Sequence, residues 1–219
     1  MRWRTRGTAA GLPVRCWRCS SEQPPAFFCT ECDAVQMLPA NTDYLEVLDL
    51  PNHPGIDVAA LKELWFNLTK RLHPDRFPNA TPEELRASVA STALLNSAWQ
   101  TLRDPETRGR WWLERSAEPL GKNNNQVPPA LAALVFEVQE ELLEVAEGSI
   151  EVRQRLEQRL EELESRRESD RITIEDLLQK WPAEESSQAG QLQSLKNTLS
   201  ELSYLATLTR DIRRALKDA

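Results

Sequence analysis

The chain has 219 residues, 28% of them charged, with only 7 glycines, a formal net charge of −7 and a pI of about 5.1. That length allows one or two domains with real cores, and a composition rich in Leu, Ala, Glu, Arg and Gln but poor in Val and Ile favours helix over strand. The acidic balance argues against binding to a phosphate backbone, no apolar run reaches the roughly 20 residues of a bilayer-crossing helix, and no secretory h-region is present.

Residues 1–12 carry arginines and no acid. A disordered tail is expected there, with an organelle-targeting arm as the alternative. Residues 13–38 hold all four cysteines, spaced Cys16-x2-Cys19-x9-Cys29-x2-Cys32. Two CxxC knuckles suit tetrahedral thiolate ligation, so a closed, structural zinc site is expected; iron is able to occupy the same sulfurs. The segment is too short for a core of its own, so the metal would supply its fold. The rivals are a redox CxxC pair, which lacks the strand and helix it needs, and two disulfides, which need an oxidising compartment.

Residues 40–118 read as a compact helical domain. Asn41 or Thr42 is expected to cap a short helix on which Tyr44, Val47 and Leu48 share a face. After the loop "LPNHPGID", Asp57 is placed to accept from the first free amides of a helix with the apolar stripe Leu61, Leu64, Trp65, Leu68 and Leu72. Pro74 must end it. Thr81 as cap, Pro82 in the first turn and Glu84 in the capping-box position start the next helix. It offers Leu85, Val89, Thr92, Leu95, Ala98, Trp99 and Leu102 to a core and ends at Asp104-Pro105. The connection "HPDRFPNA" is short enough to make the two helices antiparallel neighbours and leaves its tip exposed.

Residues 119–128, "PLGKNNNQVP", read as a linker. Residues 129–219 read as a second helical unit. One helix runs to a Gly148 cap, and a charged one turns Ile150, Val152, Leu156, Leu160 and Leu163 inward. A shorter helix spans residues 172–181, and a last one covers "QLQSLKNTLSELSYLATLTRDIRRAL". The expected fold class is all-α: a helical hairpin, a C-terminal bundle of three or four helices, and a small cysteine knuckle in front.

Three stretches, "DYLEVLDLP", "RLHPDRF" and "LNSAWQTLRDPETRGRWWL", together resemble the J-domain of DnaJ-type co-chaperones. More narrowly they resemble HscB, the J-protein of iron–sulfur cluster assembly. The pattern is carried by Asn96, Ala98, Trp99, Thr101, Leu102, Asp104, Pro105 and Arg108, followed by a helical part where other J-proteins have a glycine-rich linker. A four-cysteine N-terminal extension occurs in some HscB relatives. The resemblance is specific over residues 43–115 and looser beyond 129.

The resemblance implies that His73, Pro74 and Asp75 touch an HscA/DnaK-type chaperone and speed its ATP hydrolysis, so the chain is itself no enzyme. Lys62, Lys70, Arg71 and Arg76 would present positive charge to an acidic partner surface. It also implies a second partner, an IscU-type scaffold protein, bound by Phe136, Glu137, Glu140, Glu144 and Tyr204. Ala132 and Ala133 stand where larger apolar residues are common in the family, which removes contact area. The plainer reading of Phe136 and Tyr204 is bundle core.

Two other functions compete: a general co-chaperone for unfolded clients, and a zinc-ribbon nucleic-acid binder using the Arg-rich tail. Enzyme chemistry has little support, with no phosphate loop, no zinc-protease helix and only two histidines, of which His53 reads as surface. No nucleic-acid or membrane partner is expected. The charged helix over residues 150–168 leaves a weak homodimer open. The expected compartment is the bacterial cytosol, with the mitochondrial matrix as alternative.

Overall fold

Asp43, not Asn41 or Thr42, starts the first helix: its carboxylate accepts from the amides of Leu45 and Glu46. Thr42 instead turns its hydroxyl to the Pro39 carbonyl at 2.6 Å. The computed structural model describes residues 13–39, 41–120, 131–145 and 149–218. The expected tail, most of the linker and the Gly148 cap lie outside the described residues. Contacts divide the chain into two units, Met1–Asp104 and Pro105–Ala219.

In the first unit, two short strands, β1 (Val14–Arg15) and β2 (Glu22–Gln23), pair antiparallel with Val14 opposite Gln23. Helix α1 (Tyr44–Val47) precedes α2 (Val58–Leu72), a 3-10 turn at Pro74–Arg76 and α3 (Pro82–Arg103). The expected caps are in place. Asp57 accepts from the Ala59 and Ala60 amides, and Thr81 and Glu84 form the reciprocal capping box. Each cap is worth about 1 kcal/mol. Helices α2 and α3 form the hairpin, with Leu61, Leu72, Leu95, Ala98 and Leu102 buried. Trp65 stacks on Trp99 with centroids 5.3 Å apart and donates its indole N–H to the Asn96 side-chain oxygen.

Leu85 and Val89 depart from expectation, being exposed. The inward stripe of α3 runs through Ala87, Ser88, Ser91, Leu95, Ala98 and Leu102. Small serines face inward because their hydroxyls are satisfied there: Ser88 donates to the Leu72 carbonyl and Ser91 to the Gln36 carbonyl. An apolarity pattern ranks Leu and Val above Ser and so misplaces that face.

The second unit holds α4 (Pro105–Arg115), α5 (Ala132–Val145), α6 (Ile150–Gln179) and α7 (Glu185–Asp218). The long α6 and α7 pair, and α4 and α5 each pack on both. Leu131, Val135, Val138, Leu156, Leu163, Leu205 and Ile212 lie in the shared core. Helix α6 runs unbroken where the sequence suggested two pieces, since nothing between Glu164 and Ile172 breaks a helix. Helix α4 packs on α6 and α7; the expected middle domain ran to residue 118. Arg108 is fully buried and pairs with Glu175 of α6. Gly109 lets α4 approach α7: a Cβ there would lie 3.3 Å from Leu195. Trp112 meets Trp181 edge-on at 5.7 Å.

Candidate functional site

The two cysteine knuckles repeat one backbone design. The Cys16 carbonyl accepts from the Ser20 amide (2.9 Å), and the Cys29 carbonyl from the Asp33 amide (3.0 Å). In each case the fourth residue on takes a left-handed conformation, Ser20 at φ 64° and Asp33 at φ 55°. The Cys16 and Cys29 amides each donate five residues ahead, to Ser21 and Ala34, both at 2.8 Å. Strands β1 and β2 close the first knuckle.

These turns bring the four sulfurs within 4.8 Å of one another. Cys16 and Cys32 are 3.7 Å apart, and Cys19 and Cys29 are 3.6 Å apart. A tetrahedron with metal–sulfur bonds of about 2.3 Å has edges of about 3.8 Å. None of the four is joined in a disulfide, so the two-disulfide alternative does not describe the site. The protons are distributed unevenly. Burial opposes the Cys16 thiolate, but the Cys19 and Arg18 amides outweigh it and pull the pKa down. The Ser21 hydroxyl draws Cys29 down to about 6. The Ala34 amide favours the Cys32 thiolate, yet burial and the three other sulfurs push it up to about 12. Four thiolates this close need a cation between them. The cluster is positioned to hold a metal ion.

His73 joins α2 to the exposed turn. It caps the end of α2 through its own amide, which donates to the Thr69 carbonyl. Its ring Nδ1 accepts from the Asp75 amide at 3.3 Å. That internal bond fixes the ring while Pro74 sets the turn. The Asp75 side chain is 89% exposed. Lys62, Lys70, Arg71 and Arg76 are also exposed. Two of them are engaged: the Lys70 ammonium sits 3.9 Å from the Phe66 ring centroid, and Arg71 pairs with Asp33. Sequence reasoning missed Phe66 and Asp33; the four-residue spacing of Lys62, Phe66 and Lys70 was the available signal for the first.

On α5, Phe136 is 70% exposed, so its reading as bundle core is overturned. Glu137, Glu140 and Glu144 share the solvent side with Ala132 and Ala133. Arg159 of α6 pairs with Glu137, and Arg155 with Glu144. Tyr204 of α7 is half-buried against the core beneath. Leu143 is 74% exposed one heptad after Phe136 and was not anticipated. His53 is half-buried, and its Nδ1 accepts from the Gly55 amide at 2.9 Å. No helix among the described residues is long and apolar enough to cross a membrane.

No family model matches the chain. Among curated proteins it is 34% identical over 140 residues to a co-chaperone protein HscB homolog of Bordetella avium, covering 64% of this chain and 81% of that protein. It is 32% identical over 104 residues to the human iron-sulfur cluster co-chaperone protein HscB, covering 46% of this chain and 44% of that one. Among solved structures, human HscB superposes with a TM-score of 0.69 at 21% identity, covering 92% of this chain and 98% of that one. HscB from Vibrio cholerae gives 0.57 at 22% identity, covering 81% and 99%. At those identities the two structures speak to the fold.

Proposed function

The chain belongs to the HscB family of co-chaperones, and from that premise we propose that it stimulates the ATPase of an HscA/DnaK-type chaperone and delivers an IscU-type scaffold protein to it. The observation that carries the reading is the His73-Pro74-Asp75 turn, held rigid at the tip of the α2–α3 hairpin with the Asp75 carboxylate in solvent. Asp75 offers a charge-assisted bond to a partner Arg. Lys62, Lys70, Arg71 and Arg76 around it favour approach to an acidic surface. The ATP chemistry takes place in the chaperone.

The scaffold protein docks on the solvent side of α5 through Phe136, Glu137, Glu140 and Glu144, with Tyr204 as a supporting residue. The four cysteines hold zinc as a structural ion: thiolates of this number suit it, and a closed set leaves no position for substrate. The bacterial cytosol is the working compartment on this reading, in keeping with a bacterial relative among the matches.

The test is single-turnover ATP hydrolysis by the matched chaperone, with this protein or its His73→Gln variant, each with and without the scaffold protein. Acceleration by the wild type alone, increased by the scaffold, is expected. Acceleration that ignores the scaffold removes the client assignment. Equal rates with wild type and variant remove the role of the turn.

A further inference from the structure

The four-cysteine segment has no part in the function above, yet it touches the docking hairpin at its most consequential point. Arg71 lies in the last turn of α2, two residues before His73. Its guanidinium is gripped from two directions. The Asp33 carboxylate pairs with Nη2 at 3.1 Å, and the Phe28 ring centroid lies 3.8 Å from Cζ. Phe28 immediately precedes Cys29, and Asp33 immediately follows Cys32. Asp33 owes its position to the knuckle: its left-handed backbone is the one that lets its amide close on the Cys29 carbonyl. A second tether reaches α3. The Gln36 backbone carbonyl accepts from Ser91 at 2.6 Å, while the buried Gln36 side-chain amide nitrogen donates to the Ala34 carbonyl and approaches Cys16 Sγ at 3.5 Å.

We propose that the second cysteine knuckle is a strut for the chaperone-docking turn, with Phe28 and Asp33 as positioning residues that fix Arg71 and, through it, the end of α2 at His73. The proposal rests on the docking reading above. An exposed Arg–Asp pair on two mobile side chains does little. Here both partners of Arg71 flank a hydrogen-bonded cysteine turn that a bound metal would close, so the guanidinium would be held from a rigid base, as supporting residues hold a site. One of its five donors goes to Asp33, and the side chain is half exposed, which leaves donors for a partner carboxylate. Filling the cysteine site is therefore coupled to the order of the turn, through packed side chains that share one backbone segment.

Two readouts test this on the full chain, one independent of any chaperone. The zinc-loaded protein is compared with the same protein stripped by a chelator and with zinc added back, following amide hydrogen exchange over residues 70–77. Stripping should speed that exchange and zinc should restore it; unchanged exchange overturns the proposal. The second readout is the protein concentration that half-saturates chaperone stimulation. Stripping should raise it about three- to tenfold, and Asp33→Asn about twofold with the bound zinc retained. In an Arg71→Ala background, Asp33→Asn should have no further effect. An equal effect with and without Arg71 overturns the proposal. So does tighter docking of Asp33→Asn, which would mean that Asp33 masks Arg71. If no chaperone responds to the loaded wild type, the docking reading fails, and the exchange experiment still decides whether the strut exists.

Discussion

Phe136 and Leu143 stand seven residues apart on the solvent face of α5, 70% and 74% exposed. At 100° per residue they fall almost on one line, with Ala132 beside them and Glu137, Glu140 and Glu144 together on one flank. Large apolar side chains left in water in such a row mark a contact surface. On the scaffold-docking reading, Leu143 replaces area that Ala132 and Ala133 do not supply. Phe136→Ala and Leu143→Ala should each weaken scaffold binding by about 1–2 kcal/mol, roughly five- to thirtyfold in Kd by calorimetry. A Leu143→Ala variant that binds like the wild type would place the contact entirely at the N-terminal half of α5.

The acids on that flank should not be equivalent. Arg159 and Arg155 already pair with Glu137 and Glu144, while Glu140 has no ion pair among the described residues. Glu140→Gln should therefore cost more scaffold affinity than Glu137→Gln or Glu144→Gln. Its penalty should also shrink most between about 50 and 200 mM salt. Equal penalties for the three variants would count against this ranking.

Removing Glu175 leaves the fully buried Arg108 guanidinium without its carboxylate. Breaking a buried pair from one side costs about 3–5 kcal/mol, and the 34% exposure of Glu175 moderates this to about 2–3. Glu175→Ala should lower the urea midpoint of the C-terminal unit accordingly. Replacing both residues by methionine should recover most of the loss. A loss below about 0.5 kcal/mol would show the pair to be ornamental.

Asp170 has its carboxyl raised to about 6, first by burial and then by the Glu201 carboxylate, with Arg166 opposing. A raised carboxyl binds a proton in the folded chain that the unfolded chain has already lost. Stability should therefore fall as pH rises from about 4 to 6, and the deficit should persist above 6. Asp170→Asn should flatten that slope. Partial solvent screening reduces the gain at pH 7.5 to about 1 kcal/mol, a few degrees in Tm. A variant with the wild-type pH profile would rule this group out.

Each chain should hold one zinc ion, released by acid as thiolates take up protons. Cys16→Ser, which replaces a buried thiol 1% exposed, should abolish tight binding. It should also expose the amides of residues 14–36 to exchange while α2, up to its last turn, and α3 keep their helical signal, since Leu61, Leu95 and Leu102 are buried within the hairpin itself. Stoichiometric zinc in Cys16→Ser would mean a different ligand set.

The helical starts were legible because caps are local: Asp57, Thr81 and Glu84 announce themselves within four residues. Cysteine spacing likewise encodes its own geometry, since each CxxC must turn back on itself. What escaped was set by contacts distant in sequence. Ser88 and Ser91 face inward only because carbonyls from residues 72 and 36 await them. Arg71 looked like a free cation because Asp33 lies 38 residues earlier. Helix α4 was read with the hairpin before it, although Arg108 and Gly109 are shaped to α6 and α7. The exposure of Phe136 could not be read from a pattern that serves equally well for a core stripe.

The tryptophan pairs give the two units separate optical identities. Trp65 and Trp99 lie nearly parallel, 20° between planes, in the first unit, and Trp112 and Trp181 nearly perpendicular, at 81°, in the second. Indoles this close couple as excitons, and the two geometries give near-ultraviolet dichroism of different shape. Trp99→Phe removes the stacked pair's signal, and Trp181→Phe removes the edge-on pair's while leaving Trp111 beside Trp112 at 6.4 Å. Without any attached dye, the melting of the first unit can be followed apart from that of the second.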